Sequence, residues 1–421
     1  MESLIKVGIA GLNGIYAVMK LFPQQKKVVI LSRESDTPSL DICMLRDKIE
    51  DLHPDYSVVI LCKLFKASDP MSRKLAYGFH VLRQMGELAT SQIAVLDTYC
   101  IPASLLKHRK NLLVVQMWHS IGTMKKFGYS ILDKPEGSSS KIAHLMHMHE
   151  GYDYIFSAGE GYREHLAQGF NYPLEKIVVM PLPRVEALKD KARAEATRKK
   201  IFEKYPSLNS GNSENCLGSE ASENCLSSEN SRTNEASRSS RDSGNSRKLN
   251  IVYVPTFRKG EDEATSTAIK ELINAVDYDK YNLVIKAHPL TELSGLDDSR
   301  AIIDKDFSSF DMLFASDIVI GDYSCIMYEA AILGKPLYFY DYDYEEYMST
   351  RDIYMDYMAE VPGPVCYDAH SLMEEIKKPS YDYAKLDSFL RKYVYVDSEH
   401  ETQDMVEFLF DKLSSKQFSS K

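Results

Sequence analysis

The chain has 421 residues, of which 44% are hydrophobic and 27% charged, a length for two or three domains and a balance that excludes fibrous, collagenous and wholly unfolded proteins. Its formal net charge of −10 at pH 7 argues against a nucleic-acid binder, which needs a basic field, and leaves room for local basic patches. No apolar run nears the ~20 residues of a membrane span, and the seven scattered cysteines form no Cys-x-x-Cys pair, so neither a disulfide framework nor a zinc ribbon is indicated.

Met1–Lys6 lacks the basic start and long apolar core of a signal peptide, so a cytosolic chain is expected. Ile5–Ala10 reads as a first strand, followed by Gly11-Leu12-Asn13-Gly14 and a helical stretch from Ile15. The Gly8, Gly11 and Gly14 spacing is not G-x-G-x-x-G, so a tight turn is favoured over a dinucleotide site. Val28–Leu31, Ser57–Cys62, Ile93–Leu96 and Leu112–Met117 are short apolar runs. Such runs fit parallel strands buried on both faces.

From about Ser207 to Ser246 the chain is Ser, Asn, Glu, Gly and Arg with few large apolar side chains. Such a stretch cannot bury enough apolar surface to offset the entropy of ordering, and a disordered linker or insertion is expected. Beyond it, Leu249–Val254, Asn282–Lys286, Asp317–Ile320 and Pro336–Tyr340 repeat the strand pattern, with Ala268–Ala275 and Ile326–Leu333 helical between them. The expected organisation is an α/β chain with a Rossmann-like domain over 1–206, a linker over 207–247 and a second Rossmann-like domain over 248–421, facing each other across a cleft.

Ligands of open α/β sheets bind outside the carboxyl ends of the strands. Trp118-His119-Ser120-Ile121-Gly122-Thr123 follows one strand, and Pro255-Thr256-Phe257-Arg258-Lys259 a second. Ala287-His288-Pro289 and Gly321-Asp322-Tyr323-Ser324 follow two more. His119 is a candidate base, since a neutral imidazole takes a proton from a hydroxyl near pH 7. His288, held extended by Pro289, either donates to a phosphate or closes the strand. Ser324 precedes a helix that ends at Gly334, and both capping and phosphate binding are expected of it. Arg184, in Leu182-Pro183-Arg184, and Arg258 are candidate phosphate clamps or surface ion pairs.

Three weaker features stand beside these. His144, His147 and His149 read as structural rather than as a metal site. The acidic aromatic run Asp341–Glu346 is either a cation site or a solvated loop. The basic stretch Lys189–Lys204 is either a solvated helix face or a contact for an anionic membrane.

The run Ala315-Ser316-Asp317-Ile318-Val319-Ile320-Gly321-Asp322-Tyr323-Ser324-Cys325-Ile326-Met327-Tyr328-Glu329 closely resembles the CDP-glycerol glycerophosphotransferase family of teichoic acid synthesis. Gly334-Lys335-Pro336, Glu345-Glu346-Tyr347, Arg351-Asp352 and Pro362-Gly363-Pro364 continue the likeness, and Trp118-His119, Leu182-Pro183-Arg184 and Pro255-Thr256-Phe257-Arg258 precede it in the same order. The resemblance implies a GT-B type fold and transfer of glycerol-phosphate or ribitol-phosphate from its CDP derivative to a lipid-linked acceptor hydroxyl. It implies a peripheral place on the inner face of the cell membrane, against an anionic surface. Carried over by position, His119 is the implied base, with His288 as a second functional histidine. Trp118, Gly122, Thr123, Arg184, Thr256, Arg258, Asp322 and Ser324 are the implied substrate contacts. Glu329 is a candidate for the ribose. No metal ligand is assigned, and magnesium is left open as a cofactor. The alternatives are a nucleotide-sugar glycosyltransferase of the same fold, a non-catalytic nucleotide-binding relative and, on the glycine spacing alone, an NAD-dependent oxidoreductase.

Overall fold

In a computed structural model the chain forms two compact units, Met1–Ala187 with Lys392–Lys421, and Leu188–Arg391. The structure describes residues 2–66, 68–135, 137–209, 247–258, 262–288, 291, 298–350 and 352–419. Most of the Ser/Asn-rich segment expected to be a linker, and the Pro289 that follows His288, lie outside the described residues.

The first unit opens with helix α1 (Glu2–Met19). It continues through β1 (Lys27–Ser32), α2 (Leu40–Leu52), β2 (Ser57–Cys62), α3 (Met71–Thr90), β3 (Ile93–Leu96), α4 (Ile101–Leu105), β4 (Leu113–Gln116), α5 (Ser140–Leu145), β5 (Tyr154–Ser157), α6 (Arg163–Phe170), β6 (Ile177–Val179) and α7 (Pro183–Lys189). Its strands are all parallel, in the order β2-β1-β3-β4-β5-β6. Val28–Leu31 and Ile93–Leu96 are essentially fully buried, as strands covered by helices on both faces must be. Tyr16 of α1, Met85 and Leu88 of α3 and Phe170 of α6 pack on the sheet.

The second unit holds α8 (Lys191–Lys204), β7 (Leu249–Tyr253), α9 (Asp262–Ala275), β8 (Tyr281–Ile285), β9 (Ala301–Ile303), α10 (Ser309–Met312), β10 (Ile318–Gly321), α11 (Ile326–Ile332), β11 (Leu337–Tyr340), α12 (Tyr344–Thr350), α13 (Tyr357–Glu360), β12 (Val365–Cys366), α14 (Ala369–Lys377) and α15 (Tyr383–Tyr393). Its strands are also parallel, in the order β12-β11-β10-β7-β8-β9. β7 is thus the strand from which the chain runs outward in both directions, which makes the gap between the ends of β7 and β10 the topological switch point. The core beneath it is aliphatic and tyrosine-rich, with Ile251, Leu272, Leu283, Ile320 and Tyr340 fully enclosed.

The chain then returns to the first unit. The last helix, α16 (Glu401–Ser419), packs against α2 and β4. Phe410 stacks on His53 with ring centroids 3.5 Å apart, and Lys416 donates to the Leu112 carbonyl at 2.7 Å. The compact units therefore depart from the expected boundaries of 206 and 248–421: Leu188 onward belongs with the second sheet and Lys392 onward with the first.

Ile5–Ala10, expected as a strand, is helix, and Gly8, Gly11 and Gly14 lie inside α1 with no atom near enough to exclude a side chain. The tight turn expected there is absent, and so is the strand-turn-helix context of a dinucleotide fingerprint. The apolar spacing in α1 suits a helix that buries Tyr16 and exposes its other side.

Candidate active site

In the first unit the end of β4 leads straight into Trp118, His119 and Ser120. Trp118 has φ +67°, a left-handed conformation disfavoured for a bulky residue. Fully buried Gln116 holds it there. Its side-chain oxygen accepts the Trp118 backbone N–H at 2.9 Å, and its amide donates to the Thr98 carbonyl at 3.1 Å. The indole packs on the His119 ring at 4.2 Å and on Phe127 at 4.6 Å.

His119 Nδ1 lies 3.1 Å from the backbone carbonyl of Asp97, at the end of neighbouring β3. A carbonyl only accepts, so Nδ1 carries the hydrogen and the neutral ring keeps its lone pair on Nε2. The Asp97 carboxyl is buried beside it and accepts from Thr98 at 3.1 Å. Burial pushes that carboxyl up to about 6, against the opposing pull of Ser32, His119 and Thr98.

Gly122 and Thr123 close the same loop. The Ser120 hydroxyl donates to the Gly122 carbonyl at 2.7 Å, and the buried Thr123 hydroxyl donates to the Lys125 carbonyl at 3.2 Å. Thr123 thus serves loop shape in this structure. A small pocket lies behind the loop, lined by Trp118, Ile121, Gly122, Tyr162, Met180 and Leu182.

Arg184, a candidate phosphate clamp or ion pair, is engaged with Asp41 in this structure. Its Nε donates to Asp41 at 2.7 Å, and its terminal nitrogen reaches both Asp41 and the His119 carbonyl, the latter at 3.2 Å. Asp41 sits almost wholly buried in the first turn of α2, which Ser39 caps.

In the second unit Thr256, Arg258 and Asp322 meet at the switch point. Asp322 accepts from the Thr256 backbone at 2.9 Å, from its hydroxyl and from Arg258 at 3.0 Å. Arg258 also holds Asp343 through two nitrogens and donates to the Thr256 carbonyl at 2.9 Å. Its guanidinium lies 4.7 Å from the Tyr342 ring and 5.6 Å from that of Tyr323, which stacks on Tyr347. The Arg258 side chain is 1% exposed and lies in a buried ion-pair network, the ion-pair alternative weighed for it, though buried rather than at the surface. Desolvation is large for such a charge, and it is retained because two carboxylates surround it.

Asp341 lies next to this network, fully buried. Burial pushes its carboxyl up to about 8; Asp322 and Asp343 reinforce the shift, while Tyr357 and Arg258 oppose it. One guanidinium already balances two carboxylates, so a third charge there is disfavoured. The acidic aromatic run is therefore a buried network around Arg258 at Asp341 and Asp343, rather than the solvated loop weighed for it. No signal in the sequence separated Asp343 from its acidic neighbours.

His288 is exposed after β8, with its ring 5.3 Å from Phe257. Ser324 accepts the Ile326 N–H at 3.4 Å, a weak cap on the short α11. Glu329 is on α11, 9% exposed. His144 ends α5, whereas His147 and His149 have left-handed backbones and leave the helix. His147 pairs with Glu150 at 2.7 Å, and His149 is buried against Phe170, which holds its imidazole down to about 4. Among the described residues no group of three or more His, Cys, Asp and Glu side chains is placed to hold a metal ion.

With this geometry in view, the comparisons decide the family. The model of the CDP-glycerol:poly(glycerophosphate) glycerophosphotransferases matches residues 15–211 and 226–411. The chain belongs to that family. It is 26% identical over 400 residues to a teichoic acid ribitol-phosphate primase of Bacillus spizizenii, covering 93% of this chain and 92% of that protein. It is 26% identical over 341 residues to a teichoic acid glycerol-phosphate primase of Bacillus subtilis, covering 80% and 77% of the two chains. A histidine-to-asparagine variant of the wall teichoic acid polymerase TagF, soaked with CDPG, superimposes with a TM-score of 0.67 at 18% identity, covering 99% and 98%. The expected GT-B type fold class and the expected reaction class, polyol-phosphate transfer from a CDP-polyol, are those of this glycerophosphotransferase family and its relatives.

Proposed function

We propose that this family member transfers glycerol-phosphate or ribitol-phosphate from its CDP derivative to the hydroxyl of a lipid-linked acceptor, with His119 as the base. The observation that carries the reading is the Nδ1 contact to the Asp97 carbonyl, which leaves Nε2 as the lone-pair nitrogen. The acceptor hydroxyl gives its proton to Nε2 as its oxygen bonds the phosphorus that bears the polyol. The bond from that phosphorus to the bridging oxygen breaks, and CMP leaves with the electron pair. Phosphoryl transfer asks mainly for positioning and charge stabilisation. On this reading His288 and Ser324 face the donor phosphates, Glu329 serves the ribose, and the Arg258 network fixes the loop that carries Thr256.

The same reading places the chain against an anionic bilayer through α1 and α3. These two helices pack on each other, and their outer sides are apolar. Leu4, Val7 and Val18 on α1 and Met71, Leu75 and Phe79 on α3 are each more than half exposed. Residues 1–22 and 63–83 carry seven basic side chains against two acidic ones, opposite in sign to the chain as a whole, and an apolar face with a basic rim suits an interfacial contact. The Lys189–Lys204 stretch suits it less, because Arg193, Arg198 and Lys204 are engaged with Asp311, the Phe314 carbonyl and Asp306. No described helix is long and apolar enough to cross a membrane.

The test is CMP release from CDP-glycerol and from CDP-ribitol with a lipid-linked glycerol-phosphate acceptor. Acceptor-dependent release that falls by roughly 10²- to 10⁴-fold in His119→Ala supports the base, and the preferred donor names the polyol. Undiminished release in His119→Ala removes His119 from the chemistry, and a glycosidic product would move the chain to the sugar-transferring alternative. For the membrane contact, Leu75→Glu with Phe79→Glu is expected to abolish sedimentation with phosphatidylglycerol vesicles. Unchanged sedimentation refutes that face.

A further inference from the structure

We propose that the Asp41–Arg184 ion pair is a positioning device for His119, which it holds by the histidine's backbone carbonyl and not through any donor phosphate. The inference rests on the reading of His119 as the base. Three restraints converge on this residue. Gln116 clips the left-handed Trp118 before it, and the Asp97 carbonyl fixes its ring nitrogen. Arg184 takes the third handle, the carbonyl of His119 itself, at 3.2 Å.

These contacts occupy the Nε–H and one terminal nitrogen of the arginine. Asp41 receives its backbone N–H at 2.8 Å, its Nε at 2.7 Å and its terminal nitrogen. A buried carboxylate with three donors from one residue fixes both the start of α7 and the plane of the guanidinium. That plane then aims a remaining N–H at the loop after β4. The geometry requires the planar fork of arginine, since lysine offers no second nitrogen at a fixed angle. It also requires α2, which supplies Asp41 from a capped first turn far away in sequence. A shift of the histidine by an ångström is enough to cost roughly 100-fold in rate, so a carbonyl tether gives the buried pair a use.

The experiment compares full-length Asp41→Asn, Arg184→Lys, Arg184→Gln and the combined Asp41→Asn/Arg184→Gln chain in CMP release. Each variant is expected to lose kcat by roughly 10- to 100-fold, with the donor KM within about threefold of wild type. The combined variant, which leaves no unpaired buried charge, is expected to be no worse than the worse single variant. A donor KM raised tenfold or more in the arginine variants, with Asp41→Asn near wild type, would overturn the proposal and return Arg184 to the phosphate. A second readout needs no activity: nitrogen-15 histidine spectra, with His119→Gln assigning the ring. The Nδ1–H tautomer of wild type is expected to give way to a mixture in all four variants. An unchanged His119 spectrum in the combined variant would also overturn the tether. If His119→Gln keeps full activity, the base assignment fails, and the spectra still decide whether the pair holds the ring.

Discussion

The two units place an arginine at comparable stations, each just beyond a strand and each paired with aspartate, and they use it differently. Arg258 is sealed in, with Asp322, Asp343 and the rings of Tyr323, Tyr342 and Tyr347 around it, and its partners are the ends of β7, β10 and β11. Arg184 keeps a fifth of its side chain exposed, and one of its contacts is the backbone carbonyl of His119. The first arrangement makes a rigid platform at a switch point. The second makes a tether beside a strained loop. A buried charge therefore does not announce its use by its burial; what it touches besides its counter-ion decides.

The comparison breaks hardest if Arg258 proves dispensable. Arg258→Met leaves Asp322 and Asp343 uncompensated in the interior and is expected to destabilise the second unit by about 3–5 kcal/mol. Calorimetry should show an early transition for that unit, and an unshifted melting profile would mean that the network is not what holds the platform. Arg184→Met, which strips the partly exposed tether, should move the melting temperature less than Arg258→Met does.

Asp341 sharpens the same contrast through pH. Its native carboxyl keeps a proton to about pH 8, whereas the unfolded chain releases it near pH 4. Between those values the native state binds more protons, so this group makes stability fall as pH rises, by at most about 1.4 kcal/mol per unit. Asp341→Asn mimics the neutral acid and is expected to flatten that decline and to melt higher than wild type at pH 8. Equal pH slopes for the two chains would show that Asp341 ionises normally.

On the other side, Gln116→Leu removes the hydrogen bond that clips Trp118 and the one to the Thr98 carbonyl that anchors the amide. The expected cost is about 1–3 kcal/mol, with a kcat loss out of proportion to the stability loss because His119 is the next residue. Proportionate losses would make Gln116 an ordinary core side chain. The smallest effect is expected from Ser324→Ala, roughly 0.5 kcal/mol from a weak cap, and a donor KM that rises severalfold in the same variant would show that the hydroxyl also meets phosphate.

The sequence made the strands of both sheets legible where they are apolar on both faces, as at Val28–Leu31, Ile93–Leu96 and Leu249–Val254. It misread Ile5–Ala10 because an apolar run of that length is equally a strand and the buried side of a helix; the helix forms because Tyr16 has a core to enter. It passed over Tyr154–Ser157, Ile177–Val179, Ala301–Ile303 and Val365–Cys366, which are short and hold their place by pairing with a neighbour. The residues at the strand ends were visible, since chemistry-bearing side chains after an apolar run are conspicuous. Their partners were not. Asp41 and Asp343 lie far from Arg184 and Arg258 along the chain, and nothing local distinguishes a guanidinium facing a phosphate from one facing a distant carboxylate. Gln116 and the left-handed Trp118 were hidden for a related reason: strain belongs to the fold, and no residue type encodes it.

The return of α16 to the first sheet gives synthesis an order. The unit that holds His119 is split in sequence, because Phe410 against His53 and Lys416 against Leu112 join it only after the second unit has been made. A nascent chain therefore carries an incomplete first unit, with β4 and α2 lacking their cover, until α16 has been made. A stop codon near residue 400 would spare the sequence of the second unit and disable the unit that holds His119, although His119 itself lies far upstream of the damage.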